Sequence, residues 1–165
     1  MSLNEILQPT STPVSTSLAG HFYSMYVDSS SQSGSSLLPP SHVIASAGAT
    51  TNIPASWSGS KILVPAIGTT GAVLQLTAVS AGLNYEFVLS ANQSGQTVTV
   101  KSATANVSGP LTCGPSTLTQ VDASGSTNII FASSDVKGDW CSVWSDGTSW
   151  YAKGNSFVAS GFSVS

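Results

Sequence analysis

Hydrophobic residues recur at every second position over short runs of this chain, and clusters of Gly, Pro, Asn, Asp and Ser separate the runs. A period of two marks a strand with one face turned to a core. In YEFVLSA, Tyr85, Phe87 and Leu89 share one face while Glu86 and Val88 share the other. TVTVK, from Thr97 to Lys101, points Val98 and Val100 inward and its threonines outward. With Asn92 to Gly95 as the turn, these two runs predict a hairpin. Lys61 to Val64, Ala72 to Thr77 after the turn at 68–71, Asn128 to Ala132 and the apolar run from Phe157 to Val164 add further strands. Pro110 and Cys113-Gly114-Pro115 restrict Pro110 to Val121 to an irregular or edge strand. Windows with a period of 3.6 are absent, so the pattern predicts about nine or ten strands, little helix, and an all-β fold, a small antiparallel β-sandwich or β-barrel.

The strongest local signal is DWCSVWSDGTSWYAKG, Asp139 to Gly154, which holds three of the four tryptophans. Asp146-Gly147 has the composition of a two-residue type I′ loop. That loop pairs Ser145 with Thr148 and Val143 with Trp150. Cys141, Val143, Trp150 and Ala152 then fall on one face. Trp140, Ser142, Trp144, Ser149, Tyr151 and Lys153 fall on the other. With aromatics on both faces, the hairpin is expected to be covered twice, by the core and by a second sheet or another subunit. Trp140, Trp144 and Tyr151 are the candidate subunit interface.

Residues 1–42 read as an extended N-terminal arm and 43–165 as the all-β domain. The arm is rich in Ser, Thr and Pro, with almost nothing to bury except His21 to Val27. Phe22, Tyr23, Met25 and Tyr26 in that knot either anchor the arm on a partner or pack on the chain's own domain. The N-terminus lacks the basic start and apolar stretch of a signal peptide, so synthesis in a cytosol is expected. Cys113 and Cys141 are then expected as free, buried thiols rather than a disulfide.

Charge narrows the function classes. Charged residues make up 7% of the chain, there is no arginine, and four scattered lysines face seven acids for a net charge of −3. Nucleic-acid binding is excluded as an expectation, because no basic cluster exists to neutralise phosphates. A polybasic membrane patch and a spanning apolar run are missing too, so no membrane partner is expected.

Candidate chemistry is sparse. His21 and His42 sit in no nucleophile or base motif, so a hydrolase triad is not expected. Two histidines and two cysteines lack metal-ligand spacing, so neither a metal nor a cofactor is expected. Asp135 and Asp139 read as residues bracketing a turn rather than as a calcium loop, and Asp146 as the turn residue of its hairpin. Glu86 reads as a solvated carboxylate rather than a glycosidase acid. Trp140, Trp144, Tyr151 and Trp57 have the alternative of serving as sugar-stacking platforms. Asn92-Gln93-Ser94 and Asn106-Val107-Ser108 match the glycosylation sequon by chance.

Three parts of Val73 to Gly154 carry a resemblance: the aliphatic strand LQLTAV, the Gly-Leu-x-Tyr-x-Phe strand, and Gly-Asp-Trp followed by Asp-Gly-Thr-x-Trp-Tyr. They resemble small capsid decoration, or cement, proteins of tailed bacteriophages and other large DNA viruses. The resemblance implies a β-tulip-like all-β module, a homotrimer seated on the outer surface of the virion capsid, with the major capsid protein as partner and an arm laid on its lattice. The expected function is non-enzymatic: bridging and stabilising neighbouring coat subunits. The alternative is a receptor- or carbohydrate-binding module of a virion fibre.

Overall fold

The computed structural model describes residues 41–44, 50–68, 70–103, 107–114, 119–122 and 124–165. The aromatic knot from Phe22 to Tyr26 lies outside these residues. Among the described residues there are thirteen strands in two sheets, an all-β sandwich.

The first strand among the described residues is β1 (Ser41–Val43). The chain then alternates between sheets. β1, β3 (Ser60–Val64) and β5 (Asn84–Leu89) lie side by side in the larger sheet, and β2 (Thr50–Ile53), β4 (Ala72–Leu76) and β6 (Val98–Lys101) lie side by side in the smaller one. Neighbours within each set are parallel. A parallel pair needs a crossover connection, and here each crossover is itself a strand of the opposite sheet. The first half of the domain is therefore wound as a flattened coil.

The second half completes both sheets. β11 (Trp140–Ser145) and β12 (Trp150–Ser156) form an antiparallel hairpin beside β5. β7 (Val107–Ser108) and β8 (Pro110–Cys113) both run parallel to β12, and β9 (Thr119–Asp122) closes that edge antiparallel to β8. Gly109 separates β7 from β8 at φ +142°, and a Cβ there would strike the Ala152 carbonyl. The smaller sheet gains β10 (Asn128–Phe131) beside β6 and β13 (Phe162–Val164) at its edge.

One core joins the sheets. Ile53, Leu74, Leu76, Val98, Val100, Ile129 and Phe131 from the smaller sheet meet Ile62, Val64, Phe87, Leu89, Val143 and Trp150 from the larger, all buried. Each such side chain contributes about 1.5–3 kcal/mol by leaving water. Tyr85 lies 6.0 Å from Trp150 and 6.5 Å from Phe87, ring centre to ring centre. Cys113 and Cys141 are free and buried, and burial pushes the Cys141 thiol well above its ordinary pKa.

Three expectations are corrected. The sheets are mixed rather than antiparallel, because the coil makes its neighbours parallel. Tyr85–Leu89 and Val98–Lys101 do not form a hairpin: they lie in opposite sheets, and residues 90–97 cross between them. Gln93 is buried in that crossing, accepting from the Ile67 amide at 3.1 Å and donating to the Pro65 carbonyl at 3.1 Å. The Trp hairpin has a four-residue loop, 146–149, rather than a two-residue one, so Val143 faces Ala152 and Trp144 faces Tyr151. The register differs by two residues, which leaves every side chain on its expected face.

Candidate functional site

Strand alternation gives the larger sheet an outward face, and its register sorts that face into rows. One row, from β5 to β12, is Asn84, Trp144 and Tyr151. The next is Lys61, Glu86, Ser142 and Lys153, and the third is Leu63, Val88, Trp140 and Asn155. Trp140 and Tyr151 are half-buried, and Trp144 is 40% exposed, one of three large apolar side chains in that state among the described residues. The three residues of the expected interface thus share one face. Trp144 and Tyr151 stack with ring centres 6.0 Å apart, while Trp140 stands beyond Ser142 on the same strand.

Ser142 is the small residue between these larger ones, and a shallow groove of ≈ 260 Å³ opens there. Lys61, Asn84, Glu86, Trp144 and Lys153 line it. Lys61 Nζ lies 3.1 Å from Glu86 Oε1, so Glu86 is the partly solvated surface carboxylate that its alternation implied. A pair this exposed contributes about 0–1 kcal/mol, and its effect is to fix two side chains at the groove wall.

The loop beside the stack is held by Asp146. Its Oδ1 accepts from the Thr148 amide, the Thr148 hydroxyl and the Ser149 amide, each at 2.8 Å. Its Oδ2 accepts from the Tyr151 hydroxyl at 2.9 Å. These bonds, led by the one from Ser149, hold the carboxyl well below the usual range, and the bond to Asp146 raises the Tyr151 phenol. Tyr151 is thereby locked in the orientation that stacks on Trp144. Asp-x-Thr is the signature of such a side-chain turn, so the sequence carried the signal that the Asp-Gly reading passed over.

The other residues singled out from the sequence lie elsewhere. His42 stacks on Trp57 at 4.0 Å with planes 6° apart, which places Trp57 against β1 rather than in the groove. Asp135 and Asp139 cap turns, accepting from the Ala132 amide at 3.0 Å and the Val136 amide at 2.9 Å. Both are fully buried, which alternation did not foretell. Among the described residues no group of three or more His, Cys, Asp or Glu side chains is placed to hold a metal ion, and no helix is long and apolar enough to cross a membrane. No family model, no curated protein and no solved structure matches the chain.

Proposed function

We propose that this chain is a non-enzymatic virion structural protein that decorates the outer surface of a capsid and cements neighbouring major capsid subunits. The observation that carries the reading is the outward face of the larger sheet, where Trp140 on one side and the Trp144–Tyr151 stack on the other flank the row of Lys61, Glu86, Ser142 and Lys153. Aromatic residues at a protein surface are the usual anchors of an interface. In the proposed assembly this face lies at the seam between neighbouring protomers of a homotrimer, and the residues before Ser41 reach onto the coat lattice. Burial across the seam at about 25 cal/mol per Å² raises the barrier to separating coat subunits, and repetition over the lattice adds avidity to a modest contact.

Sedimentation tests the interface. The intact chain is expected at trimer mass, and Trp140→Ser combined with Trp144→Ser is expected to shift it toward monomer. A monomeric wild type removes the proposal. Deleting residues 1–40 is expected to leave a folded domain that no longer saturates capsids.

A second reading, a carbohydrate-binding module of a virion fibre, is favoured by the groove at Ser142, where a Trp144 ring edges polar side chains. Glycan-array binding that Trp144→Ala abolishes would put it first.

A further inference from the structure

Two buried acids and one hydroxyl meet where three connections converge. Asp135 and Asp139 come from the loop between β10 and β11, and Ser156 ends β12 on its inward side; all three are 0% exposed. Ser156 Oγ lies 2.9 Å from Asp135 Oδ1 and 3.0 Å from Asp139 Oδ2. A hydroxyl has one proton to donate, so it cannot satisfy two carboxylates.

The surrounding bonds decide where the missing proton belongs. Asp139 is already an acceptor on both oxygens, from the Phe157 amide at 2.9 Å on Oδ1 and the Val136 amide at 2.9 Å on Oδ2. Asp135 accepts from the Ala132 amide on Oδ2. Its Oδ1 faces Ser156 Oγ, which also accepts from the Val158 amide at 3.0 Å. A proton on Asp135 Oδ1 completes the set. Asp135 then donates to Ser156, and Ser156 donates to the ionised Asp139. Gly161 closes over the group, since a Cβ there would overlap Ser156 Oγ and crowd Asp135 Oδ1.

We propose that Asp135, Ser156 and Asp139 form a one-proton latch that fastens the loop at 157–161 to the loop at 132–139, and that the latch opens as the medium turns alkaline. Without that proton two carboxylates share a buried site with one donor between them, and like charges so placed do not both ionise cheaply. Burial, with the neighbouring Asp139 charge adding to it, pushes the Asp135 carboxyl up to about 7. Because this folded value lies above the ordinary range of about 4, the latch stabilises fully below that range and its contribution is lost as pH rises through about 7.

Few other titratable groups face the site. Cys113, in register with Ser156 on the adjoining strand, accepts from the Phe162 amide through Sγ at 3.3 Å. Lys137 is exposed on the same loop as the two acids. The crossing at 90–97 gives the Gln93 amide, which donates to the Asp135 carbonyl at 2.8 Å, and it and the loop at 157–161 contain no charged residue.

Two isosteric variants separate the roles. Asp135→Asn supplies a permanent donor where the proton sits, so its melting temperature is expected to stay level from pH 5 to 8.5, while the wild type loses several degrees. Asp139→Asn turns an amide donor against backbone N–H groups and is expected to melt lower at every pH. Carbon-13 NMR of the wild-type carboxyls gives a second measure that needs no variant: one carboxyl should titrate near neutral pH, and the Phe157 and Val158 amides should lose exchange protection, corrected for intrinsic rates, over the same interval. A wild-type carboxyl spectrum with every group titrating in the ordinary acid range, or an Asp135→Asn variant that keeps the wild-type pH slope, would overturn the latch.

Discussion

Asp146 accepts four hydrogen bonds from three residues of its own hairpin, and that count explains why so exposed a carboxylate organises the aromatic face. Its depressed pKa means that its contribution is present above the ordinary carboxylate range and is lost as pH falls through the lower folded value. The loop therefore holds through mild acid and loosens only in strong acid. Asp146→Ala is expected to bring the Tyr151 phenol back toward the ordinary value near 10, seen as one tyrosine that titrates earlier in an ultraviolet absorbance titration. At this scale the sequence was informative about type and poor about partner. Trp140, Trp144 and Tyr151 were placed on one face by counting in twos, and they share it. Ser156 could not be matched to Asp135 and Asp139, because the link spans 21 and 17 residues and no periodicity reaches so far.

Alternation and turn signals mark β3 to β6, β8 to β9 as one irregular run, and β10 to β13, pass over β1, β2 and β7, and fail at the question of which sheet each strand joins. Tyr85, Phe87 and Leu89 point into the same core as Val98 and Val100, whether the two strands are neighbours or face each other across it. The pattern is identical in both cases. What separates them is the connection, and the buried Gln93 amide in it acts as a brace between the crossing and residues 65–67. Gln93→Ala leaves the Ile67 N–H and the Pro65 carbonyl without their partners, at a cost of about 1–3 kcal/mol, which urea denaturation should register as a lower midpoint at unchanged slope. The hairpin shows the opposite case. Its loop is two residues longer than the Asp-Gly composition predicts, yet a displacement of two residues preserves both faces, so Cys141, Val143, Trp150 and Ala152 are all buried as their positions require.

The whole domain gets its stability from one core but its order of assembly from the coil. No pair in β1 to β6 is a local hairpin; each parallel partner arrives only after the chain has visited the other sheet. Closing such loops before contacts form is slow. Refolding followed by tryptophan fluorescence in stopped flow is expected in the millisecond-to-second range, and the Trp hairpin is the local piece available to form first. If the outward face is the proposed interface, trimer assembly would add a bimolecular step, and refolding should show a second, concentration-dependent phase. The sequence alone supported a sandwich and a barrel equally, since both hide alternate residues. Two sheets with separate edges decide for the sandwich.

The attachment of β1 has a consequence for tension. The strand is held in parallel register to β3 through Ser41, His42 and Val43, supplemented by the Ile44 amide on the Leu63 carbonyl at 3.0 Å and by the His42–Trp57 stack. A pull on the N-terminal side that reaches Ser41 is carried into the sheet by these few bonds. Once they part, β3 becomes the new edge and Ile44 is the core residue that β1 takes with it. The domain thus has a built-in weak link at its entrance, a fuse that yields before the sandwich does, and stretching single molecules by their N-terminal segment should show a small early rupture ahead of the main one.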